Sequence, residues 1–457
     1  MSAVRTRIAP SPTGQDLHIG NAYTALINYV FARAHNGQFI IRVEDTDRTR
    51  LVTGAEDRIL ASLRWLGIPY AEGPDIGGPF APYRQSERLD IYKKHAEELV
   101  AKNHAYYCFC TPQRLDQMRK DLEAKHLPPM YDGLCKKIDS KKSKKRVAAG
   151  EKYVIRMNVP DEGTTIFHDV IRGDISFANI LIDDQVILKS DGFPTYHLGV
   201  VVDDHIMKIT HIIRGEEWIS STPKHILLYK FFGWDVPLIA HVSVLRNPDR
   251  TKLSKRKNPV WVSEYKAKGF LPDAIKNYLA TMAWSYPGGQ DIFSVDEMIS
   301  KFRLEDIQTT APIFDTEKLR WMNGEYIRHM KSEKLKNIIY EFYNKKYPEK
   351  QIETVLPLLV ERMKTLAEFE TLAGFFFVRP PKHAVRSELR TALESSEWNH
   401  DAMEKTIRDV AGANAKEIFM ELRVAVTGKT VGPPLLESLE ILGKEETLTR
   451  IPSSAGR

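Results

Sequence analysis

No stretch of the sequence comes near the ~20 consecutive apolar residues that a bilayer-spanning helix needs, and the first residues hold no leader-like apolar core. Membrane and secreted classes drop out, and a cytoplasmic protein is the expectation. Cysteine is scarce as well. Cys108, Cys110 and Cys135 are an odd number confined to one short stretch, which rules out a disulfide framework and leaves metal ligands or plain thiols in a reducing compartment. Nor is there an excess of one charge: 66 Lys and Arg against 60 Asp and Glu give +6, a weak argument for a polyanionic partner. Most of the local excess sits in Lys136 to Arg146 (KKIDSKKSKKR), which reads as an RNA-facing loop or a solvated, mobile one. No internal repeat is found.

What is present is enough chain for several cores. At 457 residues the protein exceeds the roughly 250 to 300 at which a single core stops growing, so three or more domains are expected. Val4 to Ile8 is a short β-prone run, broken by Pro10, Ser11, Pro12, Thr13 and Gly14. Ala22, Ala25, Leu26, Tyr29 and Val30 then follow helical spacing up to Gly37, and Phe39 to Val43 reads as a buried strand. Strand, helix, strand is the opening of a parallel, doubly wound sheet. A similar texture returns at Val200 to Val202, Ile209 to Ile213, a helix from Ser221–Pro223 to Gly233, and Leu238 to Leu245. The nucleotide fold is thus read as split, with an insertion from about 97 to 189 carrying the cysteines and the strand-like Tyr153 to Val159. Past Asp315 the pattern is helical, in Leu335 to Tyr343, Ile352 to Phe369 and Ala402 to Leu422, in one bundle or two; Ser453 to Arg457 is expected to be disordered. Trp321 and Phe375 to Phe377 are read as core.

Two short motifs carry chemistry. Leu17, His18, Ile19, Gly20 and Asn21 lie at the mouth of the first helix, where free N–H groups and the helix dipole favour phosphate, Gly20 admits a flat ring and His18 can donate to a phosphate oxygen. Far along the chain, Thr251 to Lys257 (TKLSKRK) concentrates cations on a loop that can clamp a triphosphate and stabilise departing pyrophosphate. Each motif alone is common; together they point to ATP.

His-Ile-Gly-Asn and Lys-Leu-Ser-Lys-Arg resemble the two signatures of class I aminoacyl-tRNA synthetases, with Asn21 in place of a second histidine and Arg256 in place of a serine. RIAPSPTG (Arg7 to Gly14), RVEDTDR (Arg42 to Arg48), DGFPTYHLG (Asp191 to Gly199), VVDDH (Val201 to His205), IIRGEEW (Ile212 to Trp218), DTEKLRWMNGEY (Asp315 to Tyr326) and LLESLEILGKE (Leu435 to Glu445) narrow the resemblance to the glutamyl-tRNA synthetases. It implies an α/β multidomain protein: a Rossmann-type catalytic domain in two halves (1–96 and 190–248), an inserted acceptor-end-binding domain (97–189), a loop and stem-contact region (249–314) and an all-α anticodon-binding domain (315–457). The implied substrates are ATP with Mg²⁺, L-glutamate and tRNA(Glu), with tRNA(Gln) as a possible second, and the implied assembly is a monomer. Through the resemblance His18, Lys252 and Lys255 become the catalytic residues, and Gly20, Ser254 and Arg256 join them in holding ATP. Arg7, Tyr196 and Arg214, with Ser11 nearby, would hold the substrate's side-chain carboxylate, and Glu44 its amino group. A desolvated guanidinium supplies the charge and geometry needed to reject the amide, and the related glutaminyl enzymes lack an arginine at position 214. For each arginine the competing role is an ion pair with Glu44, Asp45 or Asp203. Cys108, Cys110, Tyr131 and Cys135 match the Cys-x-Cys and Tyr-x-x-x-Cys of zinc-bearing members, which implies structural Zn²⁺. Arg362 is the candidate anticodon contact.

Overall fold

The computed structural model describes residues 3–253 and 259–451. The chain falls into two compact units, Met1–Ser263 with Lys276–Asp315, and Glu264–Ile275 with Thr316–Arg457.

In the first unit, β1 (Arg5–Ile8) runs parallel to β2 (Gln38–Ile41) through α1 (Ile19–Ala34), with Arg7 opposite Ile40. Gly37 makes that return possible, since a Cβ there would sit 2.2 Å from the Val4 carbonyl oxygen. Helices α2 (Ala55–Leu66) and α3 (Leu89–Ala101) follow. The chain then leaves the sheet through β3 (Ala105–Cys108), α4 (Pro112–Ala124), α5 (Ser140–Ala148) and β4 (Val154–Met157). The hairpin of β5 (Thr164–Asp169) and β6 (Gly173–Ala178) comes next, and then β7 (Val186–Leu188). Strands β3, β4 and β7 form a small antiparallel sheet of their own. The second half of the nucleotide fold is α6 (Tyr196–Ile206), β8 (His211–Gly215), α7 (Thr222–Phe232) and β9 (Leu238–Val242).

Strand β9 lies between β8 and β5, parallel to both, so the β5–β6 hairpin extends the sheet of β8 and β9 even though it is contiguous in sequence with the insertion. The Thr210 amide donates to the Arg5 carbonyl at 3.0 Å and ties the start of β8 to β1. The carboxyl ends of β1 and β8 therefore open side by side, which is where a doubly wound sheet reverses its winding and binds ligands.

Two local readings change. Val200 to Val202, taken as β-like, lie inside α6, where Leu198 to Asp204 are all buried; a helix covered all round has no polar face, so its period disappears. The basic tract is ordered rather than a loop: Asp139 caps α5 by accepting from the Lys141 and Lys142 amides, and Arg146 pairs with Glu151 while lying 3.9 Å over the Phe109 ring.

The second unit holds helices and no strand among its described residues, and its side chains form two apolar clusters. One is built around Leu335, Ile339, Leu359 and Phe369, the other around Leu389, Ile407, Leu422 and Leu439. The apolar run from Ile352 to Phe369 is not one helix: Glu349–Val355 ends before Pro357, and helix resumes only at Glu368–Ala373. Phe375 is buried as expected, whereas Trp321 is 40 % exposed, because the buried side of its helix is taken by Leu319, Met322, Asn323 and Ile327. No described helix is long and apolar enough to cross a membrane. Ser453 to Arg457 lie outside the described residues.

Within this unit Gly269 has φ +76°, its carbonyl accepts from the Leu366 amide at 2.9 Å, and a Cβ would meet the Ala367 nitrogen at 2.5 Å. Gly269→Ala meets both a left-handed backbone and a neighbouring main chain that cannot swing aside, so it should cost about 1–3 kcal/mol. Urea denaturation of the full chain checks this, and an unchanged midpoint would contradict it.

Candidate active site

A cavity of about 460 Å³ opens at the ends of β1 and β8, lined among others by Arg7, Ser11, His18, Gly20, Glu44, Tyr196, Arg214 and Lys252. Every described residue expected to handle ATP or the amino acid is thus in one place. Ser254, Lys255 and Arg256 lie outside the described residues.

At the mouth of α1, His18 is the N-cap, and its Nδ1 accepts from the Gly20 amide at 3.0 Å. That bond fixes the tautomer: Nδ1 must be the acceptor, so in the neutral ring Nε2 carries the hydrogen. The chain that follows the second motif is laced to this spot. The Ile19 amide donates to the Val260 carbonyl at 2.7 Å, the Val262 amide donates to the Leu17 carbonyl at 3.0 Å, and Trp261 meets the His18 ring edge-on at 5.9 Å. Gly14 has to be glycine here, because a Cβ would fall 2.5 Å from the Trp261 ring. The Asp16 carboxylate completes the lacing by accepting from Ser62 and from the Ser263 amide. Lys252 is exposed and reaches Glu217 at 3.4 Å.

Deeper in, charge is arranged in two ways. Arg7 forks onto Asp204 with both bonds at 3.1 Å, and Arg42 reaches the same carboxylate at 2.7 Å, Glu44 at 3.3 Å and Asp203 at 3.5 Å. Asp203 also accepts from Arg88, Gln85 and Tyr92. Arg7 is therefore ion-paired, with Asp204 rather than any of the three expected carboxylates. Burial would raise the Asp204 carboxyl, but Arg7 and Arg42 outweigh it and hold it below the ordinary range. For Glu44 burial wins over Arg42 and Arg7, and its carboxyl rises to about 7. Arg214 is different. It is 6 % exposed and among the described residues bonds to His241 Nε2 (3.1 Å), His225 Nδ1 (3.1 Å), the Tyr196 hydroxyl (3.2 Å) and the Thr222 hydroxyl (2.8 Å). No carboxylate of the described residues pairs with it, and Tyr196 is steadied by Trp218 at 4.1 Å between ring centres.

In the small antiparallel sheet region, the sulfurs of Cys108, Cys110 and Cys135 lie within 4.8 Å of one another. Cys110 Sγ is 3.6 Å from Cys135 Sγ and 3.3 Å from the Tyr131 hydroxyl. Tetrahedral zinc with bonds of about 2.3 Å separates two thiolates by about 3.8 Å, so these donors fit it in kind and spacing. The hydrogen bond from Cys135 draws the Cys108 thiol down to about 4, and Arg156 lies 4.1 Å over the Tyr131 ring. In the second unit Arg362 is exposed on a turn. Burial and, after it, repulsion from Arg362 lower the nearby Arg423, which donates to the Pro433 carbonyl at 2.7 Å.

Sequence reasoning missed Asp204, Asp169, His225 and His241 as parts of this site. The motif VVDDH contained Asp204, but nothing in its spacing identified Arg7 and Arg42 as its partners.

Comparison with known proteins identifies the family. Residues 3–321 match the family described as tRNA synthetases class I (E and Q), catalytic domain, and residues 319–454 match the anticodon binding domain. The chain is 45 % identical to a glutamate–tRNA ligase of Marinomonas sp. (strain MWYL1), over 99 % of this chain and 95 % of that one. Identity to the glutamate–tRNA ligase of Acinetobacter baumannii (strain AYE) is 44 %, over 98 % and 92 %. Among solved structures, a glutamate tRNA ligase from Elizabethkingia meningosepticum CCUG26117 in complex with its amino acid superposes with a TM-score of 0.87 at 35 % identity, covering 98 % of both chains.

Removing Asp204 leaves Arg7 and Arg42 short of a buried counter-charge, so Asp204→Ala should destabilise the protein by about 3–5 kcal/mol in denaturant titrations. The advantage of wild type over Asp204→Asn has a definite pH window. Because the folded carboxyl is depressed, the advantage is full above an unfolded value of about 3.9 and is lost as pH falls through the folded one. A difference that instead grows in acid would contradict the pairing.

Proposed function

The chain belongs to the glutamate–tRNA ligase family of class I tRNA synthetases, and from that membership we propose how its residues join glutamate to a transfer RNA using ATP. The observation that carries the residue assignment is the contrast in the cavity between Arg7, already paired with Asp204, and Arg214, whose partners among the described residues are all neutral. A buried cation without a counter-ion calls for an anionic substrate group, and the side-chain carboxylate of glutamate supplies one. Arg214 and Tyr196 bind that carboxylate, with Arg7 and Ser11 beside them, and Glu44 takes the ammonium.

The first step is attack of the α-carboxylate of glutamate on the α-phosphorus of ATP. Pyrophosphate leaves, stabilised by His18 Nε2–H, the amides at the start of α1, Lys252 and Lys255; Gly20, Ser254 and Arg256 complete the nucleotide site. In the second step a ribose hydroxyl of the terminal adenosine attacks the acyl carbon and releases AMP. No protein nucleophile is needed; positioning and charge stabilisation carry the reaction, with Mg²⁺ accompanying the nucleotide. The small antiparallel sheet region and residues 97–189 around it serve the acceptor end, with Cys108, Cys110, Tyr131 and Cys135 as zinc ligands. Bound zinc supplies a cross-link that orders this part of the fold. The helical unit reads the anticodon, with Arg362 in contact with it, because loop bases are recognised by edge hydrogen bonds and stacking. The protein acts as a cytoplasmic monomer.

The direct test is charging of purified tRNA(Glu) and tRNA(Gln) side by side with labelled glutamate and ATP. Glutamate-dependent AMP formation with charging of tRNA(Glu) is expected, its absence would reject the reading, and the second tRNA measures how far selectivity extends. Glu44 adds a pH signature: its carboxyl must be ionised to hold the ammonium, so KM for glutamate should rise by up to about tenfold per pH unit below 7 and level off above it. Glu44→Gln should abolish that slope; a flat wild-type profile from pH 6 to 8 would remove Glu44 from the role. Elemental analysis of protein purified without chelator should find about one zinc per chain, lost in Cys135→Ser. A wild-type content far below one rejects the metal site.

A further inference from the structure

Six arginines among the described residues of the first unit are buried: Arg5, Arg7, Arg42, Arg88, Arg156 and Arg214. The first four each meet a carboxylate, and Arg156 lies over the Tyr131 ring beside the thiols. Arg214 is held by two imidazoles, and the donors around those rings dictate their protonation. A guanidinium only donates, so His241 Nε2 must accept from Arg214 Nε; the Asp169 carboxylate only accepts, so His241 Nδ1 must carry the hydrogen it gives to Asp169 Oδ2 at 2.6 Å. One donor and one acceptor make a neutral ring. Asp169 is held rigidly for this task, because it also accepts from the amides of His241, Ile171 and Arg172. The same logic runs through the second imidazole. His225 Nδ1 accepts from Arg214 Nη1, so its Nε2–H donates to His197 Nδ1 at 3.0 Å. Burial followed by the Arg214 charge keeps His225 well below the usual histidine range, and burial with Lys224 and Arg214 takes His197 down to about 3.

The backbone builds the arrangement. Parallel pairing sets Arg214 on β8 directly opposite His241 on β9, Asp169 ends the next strand, His225 comes from α7 and Tyr196 opens α6. Four of the five guanidinium N–H groups are thereby committed, and no carboxylate of the described residues lies within ion-pairing distance. The fifth, and the Tyr196 hydroxyl hydrogen, have no partner among the described residues.

We propose that His241, locked in one tautomer by Asp169, and His225, locked by His197, are positioning residues that orient Arg214 while leaving its charge uncompensated, and that this neutrality sets the preference for a carboxylate over its amide. A carboxylate in either position would satisfy the same N–H groups but cancel the charge, and the pocket would then lose its reason to prefer an anion. An imidazole accepts the bond without cancelling anything. This deepens the glutamate reading given above and rests on it.

The test compares His241→Gln with His241→Glu, and His225→Gln with His225→Glu, in the full chain. Members of each pair match in size and in offering an acceptor, and differ in charge. Steady-state tRNA charging is followed with glutamate and with glutamine. The Gln variants should keep KM for glutamate within about tenfold of wild type, while the Glu variants raise it by about 100-fold or more and lower the glutamate-to-glutamine ratio of kcat/KM by a similar factor. The change should fall on KM rather than kcat, as for a group that binds substrate and transition state alike. Equal effects within both pairs, or an unmoved ratio, would overturn the proposal. Where a buried glutamate prevents folding, Asp169→Asn tests the other half of the proposal, the locked tautomer that orients Arg214: its amide can donate to His241 Nδ1, turning Nε2–H toward the guanidinium. The expected result is a raised KM and a lowered ratio, and an unmoved ratio overturns the proposal. A wild type that charges tRNA with glutamate alongside indistinguishable paired variants refutes this inference alone; a wild type that fails to charge refutes the functional reading as well.

Discussion

Two successive carboxylates at the end of one buried helix, Asp203 and Asp204, are the constraint on which the catalytic unit depends. They sit at the carboxyl end of α6, where the helix dipole is already negative, and both are shut off from water. Such a pair is tolerable only with cations brought to it from elsewhere. Arg7 comes from β1, Arg42 from just beyond β2 and Arg88 from the start of α3, and with Glu44 the set holds three carboxylates and three guanidiniums. The first half of the nucleotide fold is thus fastened to the second by charge across the stretch that carries the insertion. The same fastening presents Glu44 to the cavity with its carboxyl raised to about 7, so this lining carboxylate is tuned by the network that holds the halves together.

Much of this was legible in the sequence, for physical reasons. The opening strand, loop and helix could be read because prolines break the chain between β1 and α1 and because α1 has an apolar stripe. The two signature motifs could be read because phosphate needs a helix start and clustered cations, which leave short, dense patterns. What failed was anything whose evidence lies in tertiary contact. Val200 to Val202 look like a strand because α6 is covered on every side, and Trp321 looks like core because composition does not say which side of a helix faces inward. Asp169 and His241 are 72 residues apart and meet only because β9 inserts between β8 and the β5–β6 hairpin. No spacing rule predicts that pair.

The basic tract teaches a related lesson. Its lysines suggested an exposed loop, yet Asp139 and Glu151 bracket a short helix whose last turn places Arg146 over Phe109, next to the thiol cluster. Cationic composition described the surface correctly and the backbone wrongly. Caps and ring contacts decided the latter, and both depend on single residues at the ends of the tract.

The cradle around Arg214 bears on how readily such an enzyme could change its substrate. Its acceptors come from β9, α7 and α6, and each imidazole is set in turn by a residue on a further segment. Losing the arginine alone would leave two oriented lone pairs facing a cavity with nothing to receive, a burden no single further substitution lifts. Exchanging this arginine for a neutral side chain is therefore uphill at the first step, because its surroundings are built for a donor and would have to change with it.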